Sequence, residues 1–255
     1  MIEQKDFPIL EFDENKEAII CPFKDAIKNN KHYPNNLIIT FFKDVIRRLL
    51  DEDIIEFFDV IAGENELVVY KFKDCDTLII HGIIGGPATG GFLDVLIGCG
   101  TTNIMFCGGG GVINRDITVG KFIVVDGSIR DEGFSYHYVK PSRIIKSNKK
   151  VKEKICHYLE HKNINYLTGL TWTTDAFYRE TKDKIQLRKE EGAIIVEMEQ
   201  AGLIALTQFR DVNYGAIIYG GDDVSGDEWD KRGWRSKSDI RYALVFICKD
   251  ILKVF

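Results

Sequence analysis

Short β-rich runs that end on glycine or an acidic residue recur along this chain, and they restrict its fold more than any other feature. They are Leu67 to Tyr70, Thr77 to His81, Asn103 to Cys107, Phe122 to Asp126, Ala193 to Met198 and Tyr214 to Tyr219. Several are apolar throughout, which is the pattern of strands covered on both faces, since a strand with one wet face alternates. Helical stretches lie between them: Gly91 to Leu96, Lys150 to His161, Gln200 to Phe209 and Ser238 to Val254. In the last, Ile240, Leu244, Ile247, Ile251 and Val254 recur at spacings of three and four, which suits an amphipathic helix laid on a sheet. The alternation predicts an α/β fold, a three-layer α/β/α arrangement around a mixed, curled central sheet. No internal repeat or low-complexity linker interrupts the chain, so residues 1–255 read as one domain. Its first 35 residues form a less regular arm, in which "FPILEFD" reads as an edge strand or extended arm.

Charge and cysteine usage narrow the partners. A net charge of -5 gives no net attraction to polyanions, so a small-molecule ligand is expected rather than nucleic acid or an acidic membrane. No run approaches the ~20 apolar residues of a membrane span, and no leader pattern is present, which makes the cytoplasm the expected location. The six cysteines are widely spaced with no C-x-x-C pair, which predicts reduced thiols rather than a zinc site. His157 and His161 read as a solvated helix face, because the glutamate of H-E-x-x-H is missing.

Ligands of open α/β sheets collect at the carboxyl ends of strands, and unusual segments fall there. Gly108, Gly109, Gly110 and Gly111 follow Cys107 and read either as a loop cradling an anion or a sugar, or as a tight turn. "VEMEQAG" places Glu197, Met198 and Glu199 where a buried strand becomes a helix, so one carboxylate is expected in the crevice beside a positive helix end. A carboxylate there accepts two hydrogen bonds from vicinal hydroxyls, and a plain helix cap is the competing reading. Asp222 and Asp223 follow paired glycines, where a partly desolvated acid suits protonation of a leaving group and an Asp-rich turn is the alternative. Neither a G-x-G-x-x-G dinucleotide signature nor a G-x-S-x-G elbow is present.

A glycine stretch, then V-E-M-E-Q-A-G, then a strand ending in G-G-D-D resembles the nucleoside phosphorylase and uridine phosphorylase superfamily, from about Ile61 to the C-terminus. The resemblance implies that Met198 and Glu199 contact the ribose, with Glu199 on the 2′- and 3′-hydroxyls and Glu197 beside it. It further implies that Asp222 protonates or hydrogen-bonds the departing base, assisted by Arg235, thirteen positions on. "SIRDEGFSYHYVKPSR" then places Arg130, Tyr136 and His137 at the pocket or a subunit contact, and "TWTTDAFYRE" makes Trp172 and Phe177 stacking partners for the base. The implied activity is N-glycosidic cleavage of a nucleoside by phosphorolysis to free base and ribose 1-phosphate. Hydrolysis by water and non-catalytic nucleoside binding are the alternatives. Inorganic phosphate is the implied co-substrate, no other cofactor or metal is expected, and a homo-oligomer, dimer or trimer of dimers, is implied. The chain departs from the family pattern at the phosphate: Phe106 and Gly109 stand where an arginine and a serine or threonine are expected, and the N-terminal G-D-P-x-R loop is missing.

Overall fold

The computed structural model describes residues 2–63 and 65–255. In chain order the elements are α1 (Pro22–Lys28), β1 (Asn36–Thr40), α2 (Lys43–Asp51), β2 (Ile55–Ile61), β3 (Leu67–Phe72), β4 (Thr77–His81), α3 (Gly86–Gly98), β5 (Asn103–Val112) and β6 (Phe122–Asp131). There follow β7 (Ile144–Lys146), α4 (Lys149–His161), β8 (Tyr166–Thr174), α5 (Lys182–Glu190), β9 (Ala193–Glu197), α6 (Gln200–Phe209), β10 (Asn213–Asp223) and α7 (Ser238–Ile251). Among the described residues, no helix is long and apolar enough to cross a membrane.

The strands form one mixed sheet, and its curl is a closure. β5 runs parallel to β10, β10 antiparallel to β6, β6 parallel to β8, β8 parallel to β9, and β9 returns antiparallel to β5. Those five strands make a ring. β1, β4, β3 and β2 extend from β5 as an open arm, and β7 pairs with β6. Helices cover two faces, each with its own core. Leu93, Leu96 and Ile97 of α3 and Leu203, Ile204 and Leu206 of α6 pack on one side with Leu37, Ile39, Phe106 and Ile218. Val45 and Leu49 of α2, Val151 and Ile155 of α4, and Leu244 and Val245 of α7 pack on the other with Ile38, Met105, Cys107 and Ile217. Alternate residues of one strand thus feed opposite layers, which explains why these runs carry no polar phase.

Several elements differ from the sequence expectation. "FPILEFD" contains only a 3₁₀ turn at Pro8–Leu10 and joins no strand. The face of α7 is rotated: Leu244, Val245, Cys248 and Ile251 are buried, whereas Val254 lies beyond the helix and is exposed. Buried Arg241 and Lys249 share that face, held by Asp44 and Asp74. The structure adds the helices α2 and α5 and the strands β1, β2 and β8 to the expected elements; α2 buries Val45, Ile46 and Leu49 at helical spacing and β1 is an apolar run, whereas α5 and β2 carry few buried residues and depend on tertiary packing.

The four glycines form no loop. Gly108 to Gly111 lie inside β5, with Ile218, Tyr219 and Gly220 of β10 in register with Gly108, Gly109 and Gly110. They are there because the surroundings leave no room. A methyl carbon on Gly109 would lie 2.9 Å from the Tyr219 ring, and one on Gly110 would lie 2.6 Å from the Val196 carbonyl oxygen. The helical Gly91 of α3, by contrast, has nothing within 4 Å of that position. Gly110→Ala should therefore cost about 1–3 kcal/mol by overpacking, while Gly91→Ala should gain about 0.4–1 kcal/mol by restricting the unfolded chain. Urea denaturation of the two variants checks this pair of opposite signs.

Candidate active site

The edge of β5 that faces away from β10 changes partner at the glycines. β1 accompanies it as far as the pair Thr40–Cys107, and β9 takes over at the pair Val196–Gly111. Gly108, Gly109 and Gly110 span the gap between them. This keeps the glycine stretch as a candidate cradle, now as a strand with an open edge. Phe41, directly after β1, borders the gap and packs on Phe106 with ring centroids 5.4 Å apart. Glu197, Met198 and Glu199 enter from the β9 side.

Both glutamates are buried, and each sits on backbone N–H groups. One oxygen of Glu197 accepts from the N–H groups of Glu199 and Gln200, both at 2.6 Å, and so caps α6 from within. The other accepts from the hydroxyls of Thr171, at 2.9 Å, and Thr173, both on β8. Every acceptor direction of Glu197 is thus turned inward, and it supports the site from beneath. Glu199, 6% exposed, accepts from the N–H of Gly85 at 2.7 Å, the residue that opens α3. Gly85 has φ +101, a left-handed conformation that suits glycine, and this turns its N–H across to Glu199. Burial raises the proton affinity of both carboxyls, and the charge of Glu197 raises that of Glu199 further. Met198 bridges the two in the bend, half-buried, with its carbonyl against the first turn of α3.

The acids expected on the base side lie at the end of β10. Gly221 passes close to Gly110, a methyl carbon there lying 3.0 Å from the Gly110 carbonyl oxygen, so Asp222 flanks the glycine strand opposite Glu197. Asp222 accepts a 2.6 Å hydrogen bond from the indole N–H of Trp229. Its neighbour Asp223 is buried and spends its carboxylate on the N–H and hydroxyl of Ser225, as a turn would. The sequence reading missed Glu180, whose carboxyl is pushed up to about 7 by burial and by the charge of Asp222. Its only sequence signal is an acid three positions after Phe177, the expected base contact. Phe177 itself is 50% exposed in the 3₁₀ turn Phe177–Arg179 and stacks on Tyr178.

Other expected residues lie elsewhere. Trp172 is not a stacking partner for a ligand: it is 0% exposed on β8, its indole N–H bound to Asp131 at 3.0 Å. Arg235 does not reach Asp222. It is exposed on a 3₁₀ turn with its guanidinium over the Trp234 ring, and with Trp229, Lys231 and Trp234 it borders a cavity of about 210 Å³. Arg130 is 5% exposed and is spent on Ser135, the Lys140 carbonyl and Ser142, so it cannot replace a missing phosphate ligand. Tyr136 stacks on that guanidinium and donates to the Arg130 carbonyl, which makes both parts of a folded loop. His137 is exposed at the end of the same turn. Phe106 is 2% exposed and belongs to the core, so the position expected to hold a cation is apolar.

Comparison with known proteins bears on the family and the fold. The family model described as "Phosphorylase superfamily" matches residues 37–239. A guanosine phosphorylase of Halorubrum lacusprofundi is 22% identical over 200 residues, covering 75% of this chain and 83% of its own. Among solved structures, a uridine phosphorylase of Vibrio fischeri superposes with a TM-score of 0.70 at 21% identity, over 87% of this chain and 90% of that one. An AMP nucleosidase of Bacteroides thetaiotaomicron superposes with a TM-score of 0.68 at 17% identity, over 87% and 88%.

The buried glutamates fix the sign of a pH effect. Carboxyls that bind a proton more tightly when folded than when unfolded stabilise the fold below their folded range, and this contribution is lost as pH rises through it. Thermal denaturation midpoints should therefore fall between about pH 5 and pH 8, and Glu199→Gln should flatten that fall. Glu132 and Glu180 shift in the same direction, so a residual slope remains.

Proposed function

The chain belongs to the phosphorylase superfamily, and on that premise we propose that it breaks the N-glycosidic bond of a nucleoside and releases the free base. One observation carries the reading: the exits of β9 and β10 bring Glu199 and Asp222 to opposite sides of a glycine strand whose edge is open between Cys107 and Gly111. Departure of the base leaves an oxocarbenium-like sugar, so a catalyst must hold the ribose and neutralise the leaving nitrogen. Glu199, oriented by Gly85, is the acceptor for the 2′- and 3′-hydroxyls, and Met198 lies against the sugar. Asp222 serves the base, with Phe177 as an aromatic face.

Two acceptors for the ribosyl group remain in this reading. Phosphorolysis to ribose 1-phosphate comes first, supported by the similarity to a guanosine phosphorylase. Hydrolysis is favoured by a specific observation, the buried Phe106 where the family pattern has an arginine. A missing charge-assisted hydrogen bond costs a bound phosphate about 1.5–3 kcal/mol, roughly a 10- to 150-fold loss of affinity. Backbone N–H groups along the open glycine edge are the remaining cradle for an anion.

Incubation with a panel of ribonucleosides, with and without phosphate, tests the reading by chromatography of the free base and the sugar product. Base release is expected, and ribose 1-phosphate marks phosphorolysis whereas free ribose marks hydrolysis. Glu199→Gln keeps an acceptor for Gly85 but replaces one of the two carboxyl oxygens with an amide donor, so KM for the nucleoside should rise about 10- to 100-fold. An unchanged KM would remove Glu199 from the ribose.

A further inference from the structure

Beneath the sugar-side glutamates lie three hydroxyls too deeply buried to touch a ligand. Ser128 on β6 and Thr171 and Thr173 on β8 are each 0% exposed. The register pairs Ser128 with Thr171 and Thr173 with Glu197, so β6, β8 and β9 meet at this point of the ring. Thr173 is the joint. Its oxygen accepts the N–H of Ala201, in the first turn of α6, at 2.9 Å, and its own proton goes to Glu197. Thr171 donates to the same Glu197 oxygen at 2.9 Å, and the Ser128 hydroxyl lies 2.7 Å from that of Thr173 and 2.8 Å from that of Thr171, bracing both. Valine shares the branched shape of threonine and would bury here with no polar group to satisfy, so these hydroxyls are present to bond rather than to fill.

What they hold is the main chain of Glu199. The N–H groups of Glu199 and Gln200 both donate to the second oxygen of Glu197 at 2.6 Å, and the next N–H, that of Ala201, donates to Thr173. Every N–H from Glu199 to Ala201 is thereby tied to one clamp of carboxylate and hydroxyl, while Gly85 holds the Glu199 side chain from α3 at 2.7 Å. A carboxylate that accepts two vicinal hydroxyls has to stand in one place, and a displacement of about 1 Å costs on the order of 100-fold in rate. Resting on the glycosidic reading above, we propose that Thr173 and Thr171 are positioning residues of the sugar site: acting through Glu197, they fix Glu199 where it meets the 2′- and 3′-hydroxyls. Ser128 supports them from one bond further away. Their contribution is to recognition of the sugar, and it is the same whether phosphate or water takes the ribosyl group.

The test compares sugars. The wild-type enzyme, Thr173→Val, Thr173→Ser and Thr171→Val are assayed on the ribonucleoside cleaved fastest in the panel and on its 2′-deoxy counterpart, by KM, or by the inhibition constant where the deoxy compound is not turned over. Thr173→Val is expected to raise KM for the ribonucleoside about tenfold or more. The rise on the 2′-deoxynucleoside, which offers Glu199 one hydroxyl fewer, should be about threefold or less. Thr173→Ser keeps the hydroxyl and should return both constants to within about twofold of the wild type. Equal rises on both sugars, no rise on either, or a serine variant that fails to restore binding would each overturn the proposal. If Thr173→Val does not fold, Thr171→Val carries the comparison, since it removes one donor to Glu197 and leaves Ala201 bonded to Thr173. Its expected rise is about threefold on the ribonucleoside and smaller on the deoxy compound, and an equal rise or none overturns the proposal in the same way. A wild-type protein that cleaves neither nucleoside defeats the glycosidic reading itself, an outcome seen before any variant is made.

Discussion

Close approach of backbone to backbone along Gly108 to Gly111 is the constraint on which the rest of the molecule depends. The Val196 carbonyl and the Tyr219 ring occupy the space that side chains on β5 would need, so the ring of five strands closes only over glycine. Closure in turn brings Glu197 to one side of Gly110 and Asp222 to the other. The same missing side chains leave an open backbone edge where β1 stops and β9 has yet to begin. Fold and site therefore share one requirement.

The glutamates show how burial of carboxyl groups is tolerated. Each carboxyl loses solvation, and each recovers hydrogen bonds from main-chain N–H groups at a helix start: Glu197 at α6 and Glu199 at the residue preceding α3. Glu197 also takes two threonine hydroxyls and is saturated by the protein. Glu199 depends on fewer protein donors, which suits it to receive hydroxyls from outside. Capping and the proposed sugar binding are thus compatible, because the N–H of Gly85 that holds Glu199 in place also aims it.

Legibility in the sequence followed distance along the chain. Strand β4 and helix α6 were read with the same ends that the structure gives them, because each is an uninterrupted run between local breakers. Strand β8 was missed because its exposed half, Leu167 and Thr168 among it, blurs the apolar signal that Trp172 and its neighbours carry. Glu199 and Asp222 could be singled out because strand exits attract ligands and the motif around each is compact. Trp172 was misassigned, since aromatic character is visible in sequence but strand face is not. Arg235 was misassigned because thirteen residues of loop do not fix a direction, and Trp229 occupies the carboxylate instead.

The amino-acid sequence by itself determined the layered α/β class, the covered character of the strands and the family, because apolar runs, helix periodicity and a short acidic motif are local properties. Tertiary structure alone decided that the glycines are a strand, that Phe106 is buried in the core against Phe41, and that Glu199 sits on the N–H of Gly85. These are adjacencies between residues tens of positions apart, and they exist only once strand pairing has chosen which faces and which ends meet.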